Sequence, residues 1–370
     1  MDPIYLDYQA TTPTDPDVLE AMLPWFGTPA NPHAMHSTGH RANRALTEAR
    51  ENIAAAVGAR PEDVLLTSGS TESANTVIAA LSDKRFLVSA IEHSSVSEPA
   101  GRLAGSVRIL PTGSDGIIDL DIVTELSAGC DAAFIMSVNN EIGAVQPVED
   151  IGSVLEEAGC AFMSDITQAV GKVPVDVQKS SMSAAWFSSH KIYGPTGIGA
   201  LVWRSDIKLR PLILGGDQQR GRRGGTIPLA LAVGFGEACR IAVERLDADA
   251  RHARECADTF LDAIGAVFPD FRLNGSADQR VPHNLNLHLP GIDAEELLAA
   301  TPGVAASTGS ACHARSLAPS HVVTHIEDER IARESIRIGF GRASSIVEVA
   351  AAASMLGEKA CAIASRARAA

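Results

Sequence analysis

The stretch Ala184-Ala185-Trp186-Phe187-Ser188-Ser189-His190-Lys191-Ile192-Tyr193 joins a short apolar run to a polar end. Its first five residues predict a buried strand, because a short apolar run bounded by turn residues is typical of one. Gly194-Pro195-Thr196-Gly197 follows at once. Glycine and proline there predict a tight turn where the backbone can approach a ligand. Lys191 therefore stands at a strand end, beside a histidine and a serine.

Five further apolar runs precede this one, at residues 64–67, 86–89, 107–110, 133–137 and 160–164. Segments of helical length separate them, so the pattern predicts βαβ units and a mostly parallel sheet with helices on both faces. Ligands of such sheets bind at the carboxyl ends of the strands. Polar residues follow five of the runs: Thr67 to Thr71, His93, Asn140, Asp165, and the pair His190 and Lys191. We expect these residues to converge.

The pattern changes after about residue 255. Runs at residues 284–289 and 335–340 predict strands, and an alanine-rich segment at residues 347–370 predicts a closing helix. We therefore expect a large domain over residues 16–255 and a smaller α+β domain over residues 256–370. Residues 1–15 are expected to pack near the smaller domain.

Composition narrows the possible functions. The chain has 370 residues, 45% of them hydrophobic, so it can bury a sizeable core. A formal net charge of -14 argues against nucleic acid or an anionic membrane as a partner. No apolar stretch approaches the about 18 to 20 residues that a spanning helix needs, and no signal peptide is evident, so a cytoplasmic location is expected. The six cysteines form no C-x-x-C pair, which predicts neither a metal site nor a disulfide framework.

Lys191 and Asp165 together predict a cofactor. Taken alone, Lys191 is more simply a surface lysine on a turn. Asp165, however, ends the apolar run at residues 160–164, and Gln168 follows three residues later. A lysine that forms a Schiff base and an aspartate that pairs with a pyridinium nitrogen are the protein groups of a pyridoxal phosphate site. We therefore predict pyridoxal 5'-phosphate as the cofactor.

A phosphate site is predicted where the first run turns into a helix at Gly69. The first helical residues, Ser70 and Thr71, are hydroxylic and suit the capping of free N–H groups, and a helix N-terminus attracts phosphate. A plain helix cap explains this segment equally well on its own; the pair of Lys191 and Asp165 favours phosphate. His93 is expected to stack on the ring and to move protons, since imidazole titrates near neutrality.

Several longer motifs are spread over almost the whole chain. In chain order they are Tyr5-Leu6-Asp7-Tyr8-Gln9-Ala10-Thr11-Thr12-Pro13, Asn31-Pro32-His33-Ala34-Met35-His36, Thr67-Ser68-Gly69-Ser70-Thr71-Glu72-Ser73, Glu92-His93, Val138-Asn139-Asn140-Glu141-Ile142-Gly143, Asp165-Ile166-Thr167-Gln168-Ala169-Val170-Gly171-Lys172, residues 188–199, Arg222-Arg223-Gly224-Gly225-Thr226 and Ser307-Thr308-Gly309-Ser310-Ala311-Cys312. With these motifs the chain resembles the pyridoxal-phosphate-dependent cysteine desulfurases of the class V aminotransferase family. The resemblance implies an α/β fold of the type I pyridoxal phosphate transferases, with a mostly parallel seven-stranded sheet in the large domain and a smaller α+β C-terminal domain.

The resemblance implies a role for each matching residue. Lys191 would carry the cofactor, Asp165 would pair with the ring nitrogen, and His93 would stack on the ring. The phenolic oxygen side of the ring would be bound by Gln168 and Asn140. The remaining assignments are Ser70, Thr71, Ser188 and His190 to the phosphate, Thr226 to the phosphate of the opposite subunit's site, and Asn31 and Arg342 to the substrate carboxylate. An arginine suits a carboxylate because its planar fork binds two oxygens. The Thr226 assignment implies a homodimer.

Cys312 decides the reaction that the resemblance implies. A lone cysteine is more often an inert core thiol. Here about 25 residues separate Cys312 from the last predicted strand, a connection long enough to host a functional loop. This length resembles the first group of cysteine desulfurases. L-cysteine would become L-alanine, and the sulfur would pass as a persulfide on Cys312 to an acceptor protein.

Alternatives remain open from the sequence. The acceptor route is iron-sulfur cluster assembly, tRNA thiolation or DNA phosphorothioation. Another class V enzyme, such as an aminotransferase or a selenocysteine lyase, would share Lys191 and Asp165 but would not need Cys312. A catalytically idle subunit that binds a sulfur acceptor is a further alternative, which the intact set of site residues disfavours.

Overall fold

A computed structural model describes residues 2–204, 209–309 and 319–369. Seven strands form its central sheet: β2 (Val64–Thr67), β3 (Arg85–Ser89), β4 (Ser106–Leu110), β5 (Ala132–Phe134), β6 (Ala161–Asp165), β7 (Met182–Ser188) and β8 (Gly199–Trp203). The strand order is β2-β8-β7-β6-β5-β3-β4. Strands β3 to β7 pair in parallel, and β8 lies antiparallel to both of its neighbours. The prediction of a mostly parallel seven-stranded sheet is confirmed.

Helices cover both faces of this sheet: α1 (Pro16–Phe26), α2 (Ser37–Ala55), α3 (Ser70–Ala80), α4 (Ser94–Leu103), α5 (Leu120–Ser127), α6 (Val148–Glu157) and α7 (Leu229–Val267). Helices α3 and α4 pack on one face, and the other five pack on the opposite face. Successive strand residues point to opposite faces. Trp186 and Phe187 of β7 follow this rule, since each belongs to a different one of the two cores. Both are fully buried.

The elements of the C-terminal part are β9 (Arg272–Leu273), β10 (Asn284–His288), α8 (Ala294–Ala300), β11 (Val304–Ala305), α9 (His321–Ile326), α10 (Glu329–Arg333), β12 (Ser335–Gly339) and α11 (Ile346–Ala369). Three of these strands form a second, smaller sheet with the order β12-β10-β9. The N-terminal strand β1 (Ile4–Tyr5) pairs with β11, and Leu6 joins the core of this part. Residues 4–6 therefore pack against the C-terminal elements.

Helix α7 runs without a break across residue 255. Its buried residues as far as Ala242 belong to a core of the large sheet, whereas those from Cys256 onward belong to the C-terminal core. The change of core supports the proposed domain division, and the boundary at residue 255 stays a prediction. Within the described ranges, no helix is long and apolar enough to cross a membrane.

A close backbone contact fixes β8 against the turn that leads into α3. A Cβ added to Gly199 would lie 2.7 Å from Gly69 Cα and 2.7 Å from the carbonyl oxygen of Phe187. Both obstacles are backbone atoms, which cannot rotate away.

We therefore expect Gly199→Ala to lower the thermal unfolding midpoint, with a loss of about 1–3 kcal/mol from overpacking. Gly27→Ala is the matched control, because a Cβ at Gly27 would meet nothing within 4 Å. That variant should change stability by no more than about 0.5 kcal/mol. Equal midpoints for the two variants would show that the contact between β8 and the turn is not tight.

Candidate active site

A cavity of about 340 Å³ opens at the carboxyl ends of the parallel strands. This volume suits a small cofactor and a substrate, since ligand pockets span about 300–1,000 Å³. Eight of the predicted site residues line it: Ser70, Thr71, His93, Asn140, Asp165, Gln168, His190 and Lys191. The N-terminal segment adds Gln9 and Ala10 to the wall. The predicted convergence of strand ends is thus present in the fold.

Lys191 is held by backbone oxygens of the N-terminal segment. Its Nζ donates hydrogen bonds to the carbonyl oxygens of Gln9 (2.6 Å) and Ala10 (2.7 Å). The same segment is fixed to the strand end, because the backbone N–H of Thr12 donates to the carbonyl oxygen of His190 (2.9 Å). The lysine amine therefore has a defined position inside the cavity.

Asp165 is the last residue of β6, and it is buried. Its Oδ1 accepts a hydrogen bond from the backbone N–H of Thr167 (2.8 Å). This bond orients the carboxylate in the turn after the strand. A buried carboxylate in a cavity wall is suited to pair with a cationic ring nitrogen, because the attraction is strong where water is excluded.

The N-terminus of α3 meets the end of β7 at the cavity. The Ser188 hydroxyl accepts a hydrogen bond from the backbone N–H of Ser70 (2.8 Å) and donates one to Ser70 Oγ (3.0 Å). The residue before the helix is Gly69 with a φ of +153°, and it supplies no side-chain cap. Backbone N–H groups of the first turn, together with two hydroxyls, make this end of the helix an anion site.

His93 caps helix α4 with its ring. Its Nδ1 accepts a hydrogen bond from the backbone N–H of Ser95 (3.1 Å) and lies 2.8 Å from Ser95 Oγ. Because Nδ1 accepts, a neutral His93 ring carries its proton on Nε2. His190 is neutral near physiological pH, since burial and the charges of Lys191 and Lys172 lower its pKa to about 4.

Glu92, directly before His93, was not among the predicted site residues. It is 1% exposed, and its Oε1 accepts hydrogen bonds from Ser89 Oγ (2.7 Å) and from the backbone N–H of Met136 (2.6 Å). Its Oε2 is buried without a partner. Burial, reinforced by the charge of Asp165, raises the pKa of Glu92 to about 8. A neutral carboxyl group thus lies close to the cavity.

Arg342, which the resemblance assigns to the substrate carboxylate, is paired with carboxylates of the protein itself. Its guanidinium pairs with Asp249 (Nε to Oδ2, 2.7 Å) and Asp15 (Nη1 to Oδ2, 3.0 Å) and lies over the ring of Tyr193. It does not line the 340 Å³ cavity. These two carboxylates occupy the charge that was assigned to a substrate, so Arg342 ties the N-terminal segment, α7 and the turn after Lys191 together.

Arg337 lines the cavity in place of Arg342. Its side chain is 4% exposed, and it binds Asp7 (Nη2 to Oδ1, 2.7 Å) and the carbonyl oxygen of Asn140 (Nη1, 3.3 Å). Its Nε is buried without a partner. One sequence signal pointed to it, since Arg337 is a charged residue in the middle of a predicted buried strand.

Besides Ser188 and Arg342, which do not line this cavity, three more predicted residues fall outside it or outside the described chain. Asn31 is exposed in the connection between α1 and α2, where its Oδ1 accepts from the backbone N–H of His33 (3.0 Å). Thr226 is exposed before α7. Cys312 lies outside the described residues, although Gly309, three residues earlier, lines the cavity. The roles given to these three residues stay predictions.

The chemical groups in the cavity wall fit pyridoxal phosphate. One wall holds an amine for a covalent link, another holds a buried carboxylate for a ring nitrogen, and the N-terminus of α3 supplies an anion site. Lys191, Asp165 and Ser70 provide these groups. Their separation over three different strand ends matches a ligand with three distinct chemical groups.

We predict that Glu92 makes stability depend on pH. Its pKa rises from 4.5 to about 8 on folding, so the stabilising effect is full below pH 4.5 and is lost as the pH rises toward 8. The slope for this group is at most about 1.4 kcal/mol per pH unit. Glu92→Gln should therefore flatten the decline of the unfolding free energy over that range.

Chemical denaturation at a series of pH values measures this effect. Glu98→Gln is the control, because its side chain is 62% exposed and pairs with Arg102 on the surface. The control should follow the wild type. An unchanged slope in Glu92→Gln would mean that Glu92 is ionised in the folded protein.

Known proteins resemble this chain in sequence and in fold. The model of the family described as aminotransferase class-V matches residues 4–351. A relative from Rickettsia bellii named cysteine desulfurase IscS is 43% identical over 362 residues, which cover 94% of this chain and 88% of that protein.

Solved structures agree with this match. A NifS-like protein superposes with a TM-score of 0.89 at 29% identity and covers 96% of this chain and 98% of its own. A structure titled SspA in complex with cysteine gives a TM-score of 0.81 at 36% identity, over 91% of this chain and 98% of its own. The chain therefore belongs to the class V aminotransferase family and groups within it with the cysteine desulfurases.

Proposed function

We propose that this chain is a cysteine desulfurase that uses pyridoxal phosphate to convert L-cysteine to L-alanine and passes the sulfur on as a persulfide of Cys312. The observation that carries the proposal is the convergence of Lys191, Asp165 and the α3 N-terminus on one cavity. Membership of the family, with relatives named as cysteine desulfurases, supports it.

Each group of the cofactor has a proposed partner. Lys191 would bind it covalently, Asp165 would hold its ring nitrogen, and Ser70, Thr71, Ser188 and His190 would surround its phosphate. Gln168 and Asn140 lie on the wall between these groups, where they would contact the ring oxygen. When bound, pyridoxal phosphate supplies an electron sink for charge that develops on the substrate Cα.

Arg337 is the proposed binding partner of the substrate carboxylate. Its guanidinium lines the cavity, and its buried Nε lacks a protein acceptor. A buried unsatisfied donor costs about 1–3 kcal/mol, so a carboxylate that accepts from it is bound favourably. Asn140 is held at the same point, because its carbonyl oxygen accepts from Arg337 Nη1.

Proton transfers are assigned to Lys191 and His93. The Lys191 amine would take the proton from the substrate Cα, and it would be available for this once the substrate amine has replaced it on the cofactor. His93 Nε2 carries a proton in the neutral ring and would exchange it with the substrate. The hydrogen bonds of His93 Nδ1 to Ser95 fix the ring for this exchange.

Sulfur transfer is assigned to Cys312. Its thiolate would attack the sulfur of the substrate, so a sulfur–sulfur bond forms while the Cβ–sulfur bond breaks and its electron pair stays with the carbon skeleton. Protonation of that carbon completes alanine. The persulfide sulfur would then pass to the thiol of an acceptor protein in iron-sulfur cluster assembly, tRNA thiolation or DNA phosphorothioation.

A homodimer with shared sites remains part of the proposal. Thr226 and Asn31 are both exposed and lie outside the cavity of their own chain. Exposure of Thr226, which is proposed to reach the phosphate of the opposite subunit's site, is expected if it serves a second copy. The cytoplasmic location also stays a prediction.

The proposal predicts a sulfur adduct on one cysteine. After brief exposure to L-cysteine, the intact mass of the wild type should rise by one sulfur atom while alanine accumulates. Cys312→Ala should keep the colour of the bound cofactor and lose the adduct, because the nucleophile alone is removed. Cys361→Ala is the matched control, since Cys361 is half-buried and donates to the carbonyl oxygen of Val267. An adduct that persists in Cys312→Ala would refute the assignment.

The two arginines should separate in kinetics and stability. Arg337→Gln removes a charged donor from the cavity, and a loss of about 1.5–3 kcal/mol corresponds to an increase of about 10- to 150-fold in KM for L-cysteine. Arg342→Gln should leave KM near the wild-type value and lower the thermal midpoint, since Asp15 and Asp249 lose their partner. Asp7→Asn controls for the broken ion pair of Arg337. A raised KM in Arg342→Gln alone would show that Arg342, and not Arg337, binds the substrate carboxylate.

A further inference from the structure

Lys172 is a basic residue beside the site, and the proposed mechanism assigns it no role. It follows Gly171, whose φ of +72° turns the chain back toward Gln168. The residue as a whole is half-buried, whereas its ammonium group is enclosed by protein. With Lys191 it lines a small cavity behind the active site.

A continuous chain of hydrogen bonds joins Lys172 to Lys191. Lys172 Nζ donates to Gln168 Oε1 (2.5 Å), and Gln168 Nε2 donates to the carbonyl oxygen of Gln9 (3.1 Å). That carbonyl oxygen also accepts from Lys191 Nζ (2.6 Å). Lys172 and Lys191 therefore lie at opposite ends of one hydrogen-bond chain, which runs through the Gln168 amide and the Gln9 carbonyl group.

The contact with Lys172 decides which way the Gln168 amide faces. A protonated lysine amine can only donate, so the atom that it contacts must be the amide oxygen. The NH₂ group of Gln168 is thereby placed on the side of Gln9 and the cavity. It has two hydrogens, one of which binds Gln9, so a second donor is available to an acceptor in the cavity. The carbonyl oxygen of Gln9, which can only accept, favours the same orientation through a longer hydrogen bond (3.1 Å), so Lys172 supplies the shorter of the two contacts that orient the amide.

Several positive or basic groups surround the same point. Burial, together with the charges of Lys191 and Arg337, lowers the pKa of Lys172 to about 7. Burial is also the main cause of the lowered pKa values of His190 and His283, to which the charge of Lys172 contributes. The small cavity that Lys172 lines also contains Asp249 and Arg342, which pair with each other. An anionic ligand oxygen near Gln168 therefore meets donors and positive charge together.

We propose that Lys172 is a positioning residue, which fixes the Gln168 amide so that its NH₂ donates to the anionic ring oxygen of the cofactor beside Lys191. The identity of that oxygen rests on the proposed function. The orientation of the amide rests on the protein's own hydrogen bonds, from Lys172 to Gln168 and from Gln168 to Gln9.

The pH titration of the visible absorption of the bound cofactor tests this role. A hydrogen bond donated to the anionic ring oxygen reduces the negative charge with which this oxygen stabilises a proton on the Lys191 nitrogen. The donor therefore lowers the pH at which that nitrogen loses its proton. Lys172→Met should therefore raise the midpoint of the colour change by about one pH unit, and Gln168→Met should raise it too. The double variant should match Gln168→Met, because Lys172 acts through Gln168. Lys179→Met, whose side chain is 73% exposed, should leave the midpoint unchanged.

Two titration results would overturn the inference. An unchanged midpoint in Lys172→Met would show that the amide is oriented without the lysine. Shifts that add in the double variant would show that Lys172 acts by its charge alone and not through Gln168.

A second cycle keeps this inference separate from the proposed function. Thermal midpoints of the same four proteins without cofactor should be non-additive for Lys172→Met and Gln168→Met, since the hydrogen bond is present in the protein itself. If the wild type stays colourless with added cofactor and the coupling is found, the proposed function fails and the fixed amide stands. If the wild type is coloured and both cycles are additive, the inference fails alone.

Discussion

The site depends on the common direction of the parallel strands. Because β3, β5, β6 and β7 run in parallel, their carboxyl ends lie at one edge of the sheet, and the residues that follow them share one cavity. The turn between β2 and α3 reaches the same edge through the contact of Ser70 with Ser188. A reversal of any of these strands would remove its polar residue from the cavity.

Charge is distributed unevenly over the molecule. The chain carries a formal net charge of -14, yet Lys191 and Arg337 line the cavity, and Lys172 lies directly behind it. Such a local excess of positive groups attracts anionic ligands even to an acidic protein. A phosphate and a substrate carboxylate are both anionic, whereas the buried Asp165 is reserved for a cationic nitrogen. The positions of these charged groups therefore determine where the anionic and the cationic parts of a ligand can bind.

Sequence reasoning predicted six strands of the large sheet and eight cavity residues, because strand-end polarity is a local signal. The seventh strand, β8, was not located, since it follows Lys191 through a turn without an intervening helix. Arg342 was preferred to Arg337 although both belong to one motif; only the packing of Asp15 and Asp249 distinguishes them. The raised pKa of Glu92 and the Lys172–Gln168 bond likewise depend on burial and on side-chain contacts that no spacing reveals.

The most direct measurement is reduction of the cofactor-loaded protein with borohydride, which makes a lysine–cofactor link permanent, followed by peptide mapping. We predict a single labelled residue, Lys191, because its amine lies in the cavity between the carbonyl oxygens of Gln9 and Ala10. Lys172 should stay unlabelled, since it is engaged with Gln168 behind the cavity. Label on Lys172, or no label on any lysine of a coloured preparation, would contradict the covalent attachment of the cofactor to Lys191.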